Sequence, residues 1–123
     1  MKTRKFLYVT LVLVVVSLLS VTPVVASDGE ECPHHEATVP PLRACVVHAA
    51  EMGHIDNQGV TNSLLSKVDA AQGALERGQA QVAVANLKAF MHEAKAQAGK
   101  HIDAHHATHM VMHANEIINA LSQ

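Results

Sequence analysis

Apolar residues recur three and four apart in four successive stretches, and a glycine ends three of them. That spacing lines one side of a helix, and glycine readily takes the left-handed conformation that closes a helix C-terminus. Leu42, Cys45, Val46, Ala49 and Met52 make the first stripe, after Pro41 and before Gly53. Val60, Leu64, Val68, Ala71 and Leu75 make the second, stopped by Gly78. The third opens near Gln79, carries Ala80, Ala83, Val84, Leu87, Phe90, Met91 and Ala94, and stops at Gly99. In the fourth, Asp103 can cap the first turn, and Ala107, Met110, Val111, Ala114, Ile117, Ile118 and Leu121 follow with a seven-residue pattern. No segment alternates with period two for long enough to be a strand. The expectation is an all-α fold, a small bundle of about four short helices with an alanine-rich core.

Residues 1–26 read as a secretory signal peptide. Lys2, Arg4 and Lys5 precede an apolar run from Phe6 to Leu19, and Val24-Val25-Ala26 supplies small residues for cleavage. An uncleaved membrane anchor is the rival reading, because the apolar run continued through Val25 is nearly long enough to span. With cleavage after Ala26, a Pro-containing extended segment with Cys32 covers 27–40 and the helical domain covers 41–123. The remaining chain then has six basic against eleven acidic residues, a net charge of −5 with histidine neutral, and Phe90 is its only aromatic residue. Nucleic-acid binding needs a basic face or aromatic platforms, so it is not expected. No membrane attachment is expected once the signal is removed.

Cys32 and Cys45 both fall in the exported part, where they would pair in an oxidising compartment. The expected disulfide pins the entry segment, with Pro33, Pro40 and Pro41, to the first helix. The rival is a metal site from Cys32, His34, His35 and Cys45, with His48 added, although Cys32-Pro33-His34-His35 has no recognised zinc spacing. Alanine-rich faces bury little area each, so a domain of this size gains from the disulfide or from self-association as a homo-oligomer.

His101, His105, His109 and His113 stand four apart, with His106 beside them. Imidazole is the commonest protein metal ligand and the side chain that titrates between pH 5 and 8. On the fourth helix the row is expected opposite the apolar stripe, in water, with His106 nearer the boundary; His101 joins only if the helix starts early. Three readings stay open. The row is a solvated polar face; or it responds to pH, since protonating all ten histidines moves the exported charge from −5 toward +5 below about pH 6. In the third, His105 with His109, or His109 with His113, holds Zn²⁺, Cu²⁺ or Ni²⁺, the further ligands coming from His106, Asp103, His92 or a second molecule.

Enzymatic patterns are fragmentary. His92-Glu93 lacks the second histidine of a zincin, with Ala96 at that position. Glu51-Met52-Gly53-His54 has a di-iron spacing but straddles an expected helix end, and Cys45 near His48 is no thiolate if paired.

Several short pieces are similar to the FIMAH domain, a small helical module of exported bacterial proteins. They are Ser63-Leu64-Leu65-Ser66-Lys67, Leu75-Glu76-Arg77-Gly78, Ala89-Phe90, Ala96-Gln97-Ala98-Gly99-Lys100, and Ala114 with Ile117-Ile118, spanning Gly59 to Leu121. The resemblance implies a compact helical domain, often at the C-terminal end of larger exported or surface proteins, with no assigned catalytic residues. The region before Gly59 would then be an extension of the module. The functional expectation is an exported, non-catalytic accessory or interaction domain with an exposed histidine-rich face, meeting a protein or cell-envelope partner. The alternative is a weak extracytoplasmic transition-metal-binding protein using His105, His109 and His113.

Overall fold

In the computed structural model, which describes Cys32 and residues 36–123, helix α1 spans Val39–Glu51. It therefore includes Pro40 and Pro41 instead of starting after them, as the sequence suggested. The amides of the first helical turn have no acceptor within the helix, so proline sacrifices no hydrogen bond there and its fixed φ suits the turn. The expected signal peptide and the histidines His34 and His35 lie outside the described residues.

Helix α2 spans Gln58–Glu76, α3 spans Ala80–Gln97 and α4 spans Ala104–Leu121. Each packs on its neighbour in sequence, and α1 closes the ring against α4. The fold is an all-α bundle of four helices, and the described residues contain no strand. Asn57 caps α2 by accepting from the Val60 amide at 3.0 Å, and Asp103 caps α4 as expected.

Leu42, Leu64, Leu87, Phe90 and Met110 are fully buried at the centre, with Ala49, Ala71, Ala74, Ala83, Ala94 and Ala114 at the helix contacts. Small residues at those contacts let the helix axes approach, while the few large side chains supply most of the buried area. Met52, placed on the first apolar stripe, is instead 56% exposed, because α1 ends at Glu51 and Met52 is its C-cap. Between α2 and α3, Glu93 Oε2 accepts from Ser63 Oγ at 2.8 Å and pairs with Lys67 Nζ at 2.6 Å.

Cys32 and Cys45 form a disulfide that closes a sequence separation of 13 residues, with both sulfur-bearing residues buried in the core. The metal site built on these cysteines is thereby excluded, since neither retains a thiolate.

Two outcomes are expected. Phe90→Ala removes the largest fully buried side chain and should cost about 3 kcal/mol in denaturant unfolding. A loss below about 1 kcal/mol would contradict its place in the core. Reducing the disulfide should lower stability by about 3 kcal/mol on the chain-entropy account, read as a fall in the urea midpoint with added reductant.

Candidate functional site

The tripeptide His-Ile-Asp occurs twice, at 54–56 between α1 and α2 and at 101–103 between α3 and α4. A positive-φ glycine precedes each, Gly53 at 80° and Gly99 at 72°, turning the chain out of its helix. The two copies then run antiparallel. The Asp56 amide donates to the His101 carbonyl at 3.1 Å, and the Asp103 amide donates to the His54 carbonyl at 2.8 Å. Ile55 and Ile102 form the bridge between these bonds, and both are buried. Alternation along so short a pair sends the isoleucines to the core and His54, Asp56, His101 and Asp103 to the other side. There they border an open groove of about 400 Å³ with Gly53, Gly99 and Lys100.

Each acidic residue of the pair holds a histidine. His101 Nδ1 donates to Asp56 Oδ1 at 2.8 Å, on the exposed rim. Asp103 Oδ1 accepts from the amides of His105 and His106 at 3.0 and 3.2 Å and from His106 Nδ1 at 3.2 Å. The His106 side-chain bond, followed by its backbone bond, holds the Asp103 carboxyl below the ordinary aspartate range. Beneath it His106 is only 5% exposed and stacks on His54, ring centroids 3.8 Å apart and 14° from parallel. With Nδ1 of His106 donating to Asp103, its other ring nitrogen, Nε2, is buried without a hydrogen-bond partner among the described residues.

The histidine row does not stay in water. A step of four residues advances about 40° around an α-helix, so a row four apart drifts sideways as it climbs. His105 is exposed, His109 is half-buried, and His113 is 3% exposed with Nε2 donating to the Glu36 carbonyl at 3.1 Å. The expectation of a uniformly solvent-facing row is therefore corrected. Since α4 packs on both α1 and α3, its buried arc is wider than its apolar stripe and takes in His106 and His113. His113 fastens the chain ahead of α1 to α4, and His101 precedes α4 altogether.

Of the proposed ligands, His105 and His109 stand with their ring centroids 4.4 Å apart and edge-on at 63°, while His106 is engaged by Asp103. His92 sits instead exposed on α3 beside Lys88, Met91 and Lys95. Among the described residues no three His, Cys, Asp or Glu side chains are gathered closely enough to hold one ion. The sequence reading missed His54, Asp56 and the pairing of the two loops. The signal was present in the repeated tripeptide, each copy just downstream of a helix-ending glycine.

Lowering the Asp103 pKa makes its ionised form a stabilising group in the folded state. That contribution is fully present above the ordinary carboxylate range near about pH 4 and is lost as pH falls through the depressed folded value. Asp103→Ala should lower the melting temperature at pH 7, and the gap to wild type should narrow in acid. A gap that is the same at pH 3 and pH 7 would contradict the assignment.

The family model for the FIMAH domain matches residues 39–119, which takes in all of α1 and most of α4. The match begins at residue 39 and not near Gly59, so α1 and Cys45 are part of the module and Cys32 lies ahead of it. Comparisons with curated proteins and with solved structures give no match. With two thirds of its length and its helical bundle accounted for by one family model, this chain belongs to the FIMAH domain family.

Proposed function

We propose that this small helical accessory domain is exported and works by contact, without catalysis, at the cell envelope or outside the cell. The observation that carries the proposal is the buried Cys32–Cys45 disulfide, which forms and persists in an oxidising compartment. The basic and apolar character of residues 1–26 agrees with it. A non-catalytic role is supported by how the polar groups are used. Asp103 caps α4, Asp56 holds His101, Cys45 is disulfide-bonded, and His113 ties down the chain before α1. Among the described residues the exposed histidines that a protein or envelope partner can meet are His92, His101 and His105.

A second reading, weak capture of Zn²⁺ or Cu²⁺, is favoured by one observation, the approach of the His105 and His109 rings on successive turns of α4. Two imidazoles are half of a tetrahedral set, so this reading needs ligands beyond those two.

The export reading is tested by producing the untagged full-length chain with its own leader in a secreting bacterium. Mass spectrometry should find it outside the cytoplasm, starting at Ser27 and with no free thiol. A full-length cytoplasmic product with both thiols reduced would refute the reading.

A further inference from the structure

The outward side of α4 carries His105, His109, Met112 and Glu116, spaced four, three and four apart. That is the spacing of a coiled-coil seam, in which side chains stay in line along one contact. His105 and Glu116 are exposed, Met112 is 56% exposed, and His109 is half-buried. No other helix among the described residues covers this face, because α4 meets only α1 and α3 on its inner side. Glu116 makes no ion pair among the described residues, which leaves an uncompensated carboxylate two turns or more from the histidine pair.

The seam is complementary to itself when reversed. Two α4 helices placed antiparallel, with a two-fold axis passing between residues 110 and 111, set His105 opposite the second copy's Glu116 and His109 opposite the second copy's Met112. Basic imidazole then meets carboxylate at both ends, and methionine fills the middle. An apolar hollow of about 230 Å³, bordered by Thr108, Val111 and Met112 with Ala98 of the neighbouring segment, flanks the seam and adds apolar area.

We propose that a second copy of this chain completes the metal site. His105 and His109 of one copy and Glu116 of the other hold a divalent ion of the Zn²⁺ class, twice per antiparallel dimer. Two imidazoles and one carboxylate are a set that zinc accepts, with water in the fourth position. Neither copy holds three of these ligands alone, so ion binding and pairing are coupled, and each favours the other. The proposal rests on the metal-capture reading and leaves the export reading independent of it.

Sedimentation velocity of the untagged protein, in Zn²⁺ and then in excess chelator, reads the coupling. Zinc should convert monomer to dimer with one ion per chain, and chelator should reverse it. Glu116→Gln changes an exposed side chain and should keep the helical circular dichroism while losing the dimer and weakening zinc binding about tenfold or more. His105→Ala/His109→Ala should lose both. Mixing that double variant with Glu116→Gln restores one complete site, histidines from one chain and carboxylate from the other. The mixture should therefore form a zinc-dependent heterodimer that neither variant forms alone. Zinc held by a protein that stays monomeric overturns the proposal but keeps the metal-capture reading, as does a Glu116→Gln protein that dimerises like wild type. A protein that binds no zinc overturns both.

Discussion

Everything at the histidine end of the bundle depends on the backbone pairing of the two His-Ile-Asp turns. Four helices with alanine at their contacts have little large apolar surface to fix where each begins. Two amide-to-carbonyl bonds, with Ile55 and Ile102 buried between them, supply that register by joining the α1–α2 turn to the α3–α4 turn. Buried or half-buried backbone groups must find partners, and here the two turns satisfy one another. Asp103 is where the pairing passes into α4. Its amide closes the last bond to His54, and its carboxylate receives the free amides of the first turn. Once that residue is placed, the rotational phase of every later α4 side chain is set.

That phase decides which histidines belong to the fold and which to the surface. Those inside the arc facing α1 have structural roles, His106 stacked on His54 and His113 bonded to the Glu36 carbonyl. An imidazole suits such a place because one ring nitrogen donates while the flat ring packs like an apolar group. His105 lies outside the arc and His109 at its edge. A row that looks uniform along the sequence thus holds residues with opposite environments, separated by the rotation of about 40° per four residues.

What could be read from the residues divides along the line between local and distant causes. The four stripes, the glycine stops and the Asp103 cap were legible because each depends on neighbours a few residues away. The pairing of Cys32 with Cys45 was legible because the chain has only these two cysteines. The first apolar stripe was read from Leu42, after Pro41, whereas the helix starts at Val39, because its first turn tolerates both prolines. Burial of His113 was not legible, since it depends on α1 and its preceding chain packing beside α4. The meeting of residues 54–56 with 101–103 left only the repeated tripeptide as a trace, because it takes the closed ring to bring them together.

The same division explains how a domain this small can vary its outer face without weakening itself. Substitutions at His106, His113 or Ile102 alter buried contacts, so evolution of those positions is bound to stability. His105, Met112 and Glu116 project from the outer side of a helix already anchored by its cap and by its two neighbours. Surface positions of this kind change stability by only about 0.5 kcal/mol in either direction. The disulfide widens that freedom, because it restrains the unfolded chain through a link between two residues outside α4. Stability is thus concentrated at the paired turns, the alanine-lined core and the cysteine link, and the outer stripe of α4 carries little of it.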